Sequence, residues 1–230
     1  FMGSVYFGAM LIAILLNLEL VLPAFKLIFI DAFNGTAVAG GTFIGVLIYG
    51  VRRGAFSNEA GMGTESLVHG VAKVSNPVKQ GLVAMTGPIF DTLIICTATA
   101  LIILISGVWE TSTSLGVTLT SEAFNLLLGD LGGFILFACV ICFGLSTIFT
   151  YSYYGATCAR FIFGSFGMNF YIYLYIIGIF IYSIVPIDIA INIADGAFAM
   201  MAIPTLISAL WLAPKVMQES RNYFKLIDKI

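Results

Sequence analysis

The sequence predicts an all-α protein that crosses a membrane several times. Three observations carry that reading. Of 230 residues, 60% are hydrophobic and 10% charged, whereas a soluble domain carries about 25% charged residues. The apolar residues fall in runs of about the 20 residues that a membrane helix needs. These runs are continuously apolar and lack the alternation of a transmembrane β-barrel strand. A soluble enzyme is excluded on these grounds. A net charge of −2, with no cationic run longer than Arg52-Arg53, also excludes nucleic-acid binding.

Taken in order, the expected spans are 4–22, 25–51, 81–107, 131–163, 169–187 and 190–212, followed by a tail over 213–230. Alternating loops place Arg52, Arg53, Lys73, Lys79, Arg160, Lys215, Arg221, Lys225 and Lys229 on one side and Lys26 alone on the other. Cations collect on the cytoplasmic face of membrane proteins, so the 52–80 connection and the tail are predicted to be cytoplasmic. The 108–130 connection carries Glu110, Glu122 and Asp130 without a cation and is predicted to face outward. The chain opens at Phe1 with neither a start methionine nor a basic lead, as expected of a fragment of something longer.

The second span is unusual. Asp31, Asn34, Gly35, Gly40, Gly41, Thr42 and Gly45 interrupt the apolar run, with Phe43 and Ile44 among them. Either the helix breaks there, with its free backbone lining a cavity, or a helix begins near Thr36 and Gly41-xxx-Gly45 permits close packing.

Ionisable groups in the bilayer cost at least ~2.5 kcal/mol on insertion scales, so each should face protein, water or a partner. Glu19 and Asp188 lie near span ends. Asp91 lies deep in the third span with Thr92, Cys96 and Thr99 on the adjoining face, suited either to a hydrogen bond with another helix or to a cation or proton. In the fourth span Ser146, Thr147, Thr150, Tyr151, Tyr154, Thr157 and Cys158 share an arc of about 140°. That hydroxylic stripe suits interhelical hydrogen bonding or the wall of an aqueous path. In the last span Asn192, Asp195, Gly196 and Ala199 share a face. Neither a nucleophile with its base nor a phosphate-cradling loop is present, so no enzyme is predicted and no cofactor is expected. Cys139-x-x-Cys142 lies in an apolar run and reads as packing.

The segment from Arg52 to Glu65 reads RRGAFSNEAGMGTE. It closely resembles the signature of the alanine or glycine:cation symporter family. The likeness continues through Asn76–Met85, Asp91–Thr97, Ser152–Gly155, Asn192–Asp195 and Met201–Pro204. The resemblance implies a leucine-transporter-like fold of two inverted five-helix repeats, with this chain supplying the carboxyl-terminal half. Its implied partner is the amino-terminal half of the same protein. It further implies sodium-coupled symport of alanine or glycine across the plasma membrane, with sodium as the coupling ion.

Site residues follow from the resemblance alone. Ser146 and Thr147 match a hydroxyl pair that gives oxygens to sodium. Gly40, Gly41, Thr42 and Phe43 match the unwound substrate-binding stretch, and Tyr151 matches a pocket position. Arg53, Ser57, Asn58 and Glu59 stand at the cytoplasmic rim, where Glu59 either latches an inner gate or stabilises a turn. A passive channel and a non-transporting truncated subunit are the rival expectations.

Overall fold

The computed structural model describes residues 2–32, 42–59, 61–114 and 116–227. It is all-helical, with no strand among the described residues. In chain order the helices are α1 (Met2–Leu16), α2 (Leu18–Ala32), α3 (Thr42–Asn58), α4 (Thr64–His69), α5 (Pro77–Ala84), a π-helix (Ile89–Cys96), α6 (Thr97–Ser106), α7 (Val108–Thr111), α8 (Val117–Leu128), α9 (Asp130–Ile184) and α10 (Ile187–Ile227). Among the described residues three helical runs, Pro77–Ser106, Asp130–Ile184 and Ile189–Ile227, are long and apolar enough to cross a membrane, and a fourth arises if α1 and α2 count as one bent span.

The chain divides into two compact units, one of residues 1–52 and 90–150, the other of 53–89 and 151–230. The first has a core of Ala9, Met10, Ala13, Ala98, Ile102, Val108, Ala123, Phe124 and Leu136. Ala9 and Ala13 stand one turn apart on α1, and with Ala98 they let helices approach closely, as small residues do in membrane bundles. The Tyr6 ring stacks on Phe124 at 5.9 Å and meets Phe143 edge-on at 5.9 Å. Its hydroxyl lies 3.0 Å from Thr99 Oγ1. Because Thr99 Oγ1 donates to the Ile95 carbonyl at 2.9 Å, it is placed to accept from Tyr6.

The apolar run expected to form span 4–22 contains a turn. Asn17 Nδ2 donates to the Ala13 carbonyl at 2.9 Å and Asn17 N to Ile14 O at 3.1 Å. These bonds cap the end of α1, and α2 leaves at 98°. The π-helix holds Asp91 and Thr92, both half-buried. Such wide turns occur mostly as short insertions in helices, often at functional sites.

In the second unit, α5 starts on a strong signal. Asn76 Oδ1 accepts from Val78 N at 2.8 Å and Pro77 occupies the first turn, which satisfies one free donor and uses a residue that has none. Gln80 Nε2 lies 2.7 Å from His69 Nδ1 and braces α5 against α4. In α9 the geometry departs from helical at Gly164 (φ 69°, ψ −158°), between the expected spans 131–163 and 169–187. The chain folds back there, because a Cβ on Gly155 would overlap the Tyr171 ring. Tyr171 in turn stacks on Tyr175 at 5.9 Å.

Gly155→Val should therefore lower stability by about 1 to 3 kcal/mol through overpacking, whereas Gly144→Ala, with open space around it, should be close to neutral. Thermal melting of the purified chain in detergent checks this, and equal midpoints for the two variants would contradict the packing.

Candidate functional site

The signature segment begins where α3 ends. Asn58 is the last helical residue, and the next described residues take left-handed backbone: Glu59 at φ 53°, Gly61 at φ 79° and Gly63 at φ 91°. The glycines adopt this region without penalty, whereas for Glu59 it costs roughly 1 to 2 kcal/mol. Met62 N closes a turn on the Glu59 carbonyl at 3.2 Å. Strained backbone of this kind persists where surrounding contacts over-determine it, often at functional sites.

Those contacts are visible. Tyr151 donates its phenolic hydrogen to Glu59 Oε1 at 2.6 Å, a short bond of the charge-assisted type. The Tyr151 ring lies against Tyr154 at 5.5 Å and against Phe198 of α10 at 6.4 Å. On the far side of the turn, a Cβ at Gly63 would stand 2.8 Å from Thr205 Oγ1, and one at Gly61 3.6 Å from Leu206 Cδ2. Glycine thus supplies the conformation at both positions, and at Gly63 also the room for Thr205 of α10. Met62 is buried, and Thr64 is the one buried polar residue among the described residues. Ser66 Oγ donates to the Gly63 carbonyl at 2.6 Å and closes the first turn of α4.

The structure therefore joins two residues that the sequence reading kept apart, Glu59 as a gate residue and Tyr151 as a pocket residue. Tyr154, Phe198, Thr205 and Leu206 were not singled out as their partners. The Gly-x-Gly spacing of 61 and 63 signals a tight turn, but nothing local marks which side chains press on it.

The remaining expected residues are placed as follows. Arg53, Ser57 and Asn58 lie in the last turns of α3. Ser146 is half-buried and Thr147 exposed, both on α9. Thr147 Oγ1 donates to the Phe143 carbonyl at 2.9 Å and Thr150 Oγ1 to the Ser146 carbonyl at 2.8 Å. A hydroxyl whose proton is committed to its own helix presents only lone pairs outward, which suits a cation ligand. Asp91 lies in the π-helix, and Asp195 is half-buried on α10, three residues before Phe198. Thr42 and Phe43 open α3, but their side chains, like Gly40 and Gly41 entirely, lie outside the described residues. Among the described residues no three His, Cys, Asp or Glu side chains converge as a metal site.

Chemically, the Glu59 site is a hydrogen-bonded clasp. It offers a donor, an acceptor and an aromatic shelf, and it tethers a strained turn to a helix residue 92 positions further along the chain. The fold class is that of a multi-pass helical membrane protein.

The chain belongs to the sodium:alanine symporter family, whose profile matches residues 1–229. It is 35% identical over 226 residues to the sodium/alanine symporter AgcS of Methanococcus maripaludis, covering 97% of this chain and 50% of that protein. It is 34% identical over 230 residues to an uncharacterized transporter of Haemophilus influenzae, with 98% and 50% covered. It is 32% identical over 223 residues to the probable sodium/glutamine symporter GlnT of Bacillus subtilis, with 96% and 47% covered. The chain thus spans about half the length of the curated relatives it matches.

Two substitutions test the clasp. Glu59→Ala and Glu59→Gly both remove the acceptor for Tyr151, but only glycine relaxes the left-handed backbone. Glu59→Gly should be the more stable of the two by about 1 kcal/mol in thermal or denaturant melts. The reverse order would contradict the conformation assigned to this turn.

Proposed function

We propose that this chain forms part of a sodium-coupled symporter that carries a small neutral amino acid, alanine or glycine, across the plasma membrane. The observation that carries the proposal is the family match over residues 1–229, with a signature segment built as a clasp. In this reading the chain is the second half of a five-plus-five inverted-repeat fold, completed by the other half of the same protein. The cation-rich 52–80 connection and the carboxyl-terminal tail face the cytoplasm, as the excess of Lys and Arg on that side supports.

The substrate meets the second span at Gly40, Gly41, Thr42 and Phe43. There, amino-terminal helix N–H groups and the positive end of the helix dipole receive its carboxylate. Tyr151 contributes to the pocket wall. Ser146 and Thr147 give hydroxyl oxygens to sodium, a hard monovalent ion that such neutral oxygens bind and release without trapping. Sodium drives uptake only by binding the substrate-competent arrangement more tightly than the alternative, since a ligand shifts an equilibrium by its differential affinity.

The Glu59–Tyr151 hydrogen bond is the element on which such a shift acts. Made, it ties the cytoplasmic end of α3 to α9. Broken, it frees the turn over 59–63 and releases the strain held at Glu59. Asp91 and Asp195 are gating or structural groups of their own helices, and Arg53, Ser57 and Asn58 form the rim of the gate.

The full-length protein in proteoliposomes, tested with radiolabelled alanine, should accumulate substrate against its gradient with external sodium and not with choline. Ser146→Ala combined with Thr147→Ala should raise the sodium concentration for half-maximal uptake at least about tenfold, the loss of roughly 1.4 kcal/mol of ion binding. Equal uptake in sodium and choline would reject symport, and an unchanged sodium dependence would remove the hydroxyl pair from the account.

A further inference from the structure

The helix α10 runs 41 residues, about 60 Å at 1.5 Å per residue, twice the ~30 Å of a bilayer's hydrocarbon core. Its first part, up to Trp211, carries only Asp188 and Asp195 as charged groups. Trp211 is 83% exposed, and tryptophan concentrates at membrane–water boundaries. Beyond it the character of the helix changes.

At ~100° per residue, Lys215, Gln218, Arg221, Asn222 and Lys225 fall within an arc of about 120° that holds no acidic residue. The opposite half carries Leu212, Val216, Met217, Phe224 and Ile227, and the one acid, Glu219, stands at its border about 40° from Lys215. Val216 and Met217 remain 63% and 55% exposed. A helix segment with a cationic arc and a bare apolar face is the pattern of binding to anionic lipid.

A groove supplies the second observation. Val78, Gly81 and Leu82 of α5 face Leu212, Lys215 and Val216 across a cavity of about 590 Å³. The lining is almost wholly apolar, with Lys215 and Glu219 among the few charged groups. No atom would meet a Cβ added at Gly81 within 4 Å, so the space over that glycine is open.

We propose that residues 212–227 and α5 form a docking site for anionic phospholipid, its acyl chain in the groove and its headgroup phosphate held by Lys215, with Arg221 and Lys225 meeting neighbouring headgroups. The occupant is an anionic lipid rather than any lipid because the polar arc holds three cations against the single acid Glu219 at the groove, and each such cation near an anionic surface contributes about fivefold in affinity. The site touches α5, which α4 joins to the signature turn. Membrane composition thereby gains a contact with the segment that carries the clasp.

In the full-length protein with every other tryptophan replaced by Phe, the partly exposed Trp109 among them, Trp211 is the sole reporter beside the site. Reconstituted into mixed bilayers, Trp211 fluorescence should be quenched by brominated phosphatidylglycerol with a relative association constant at least about fivefold above that of brominated phosphatidylcholine. Lys215→Gln, Arg221→Gln and Lys225→Gln together should bring that ratio to about one. Gly81→Leu, which fills the groove, should lower it while leaving the cations in place.

A ratio near one in the chain with its cations intact, or a preference that survives the triple substitution, would overturn the proposal. A preference unchanged by Gly81→Leu would overturn the groove's part in it. Synthetic bilayers carry the anionic lipid in both leaflets and the readout needs no transport, so failure here is distinguishable from failure of the symport reading or of the predicted sidedness.

Discussion

The hydrogen bond from Tyr151 to Glu59 is the constraint on which the signature segment depends. It fixes the side chain of the one non-glycine residue with positive φ among the described residues. A helix that ended at Asn58 with only glycines after it would leave a loose turn. Here a phenol from α9 binds the turn, and Thr205 of α10 lies too close to Gly63 to leave room for a side chain there. The backbone cost at Glu59 is comparable in size to what a hydrogen bond to a charged group returns. In the proposed gating reading this balance lets binding energy open the clasp, whereas a glycine turn would have nothing to release.

Much of the fold was legible in the sequence because the bilayer imposes a coarse code. Continuous apolar runs and the absence of alternation are enough to give an all-α membrane protein. The Asn76-Pro77 start of α5, four residues before the span expected from 81, was not read from the apolar run, although an Asn before a Pro suits a cap. Less legible were features that leave composition unchanged. Asn17 sits in an apolar run, and only its bond to the Ala13 carbonyl shows that it ends a helix. The π-helix over 89–96 is a slip in the hydrogen-bond ladder, which no residue pattern announces beyond the preceding Gly87-Pro88. Positive φ at Glu59 could not be read, because glutamate is not a residue that seeks that region.

The site was legible in its parts and not in its assembly. Gly61 and Gly63 mark a turn, and the hydroxylic stripe on α9 marks a polar face. The pairing of Glu59 with Tyr151 spans 92 positions, a separation over which sequence periodicity carries no information. The amphipathic arc of residues 215–225 belongs to the same class, since its meaning comes from the open groove beside it.

The clasp is most directly tested by how exposed the signature turn is when ligands bind. In a cysteine-free version of the full-length protein, a single cysteine placed at Ser57 can be titrated with a membrane-impermeant thiol reagent from the side that the proposal assigns to the cytoplasm. The account predicts that sodium and alanine together change the labelling rate severalfold, and that Tyr151→Phe abolishes this dependence. A rate unaffected by sodium and alanine in the otherwise unaltered protein would contradict a gate at Glu59 and leave the turn a structural one.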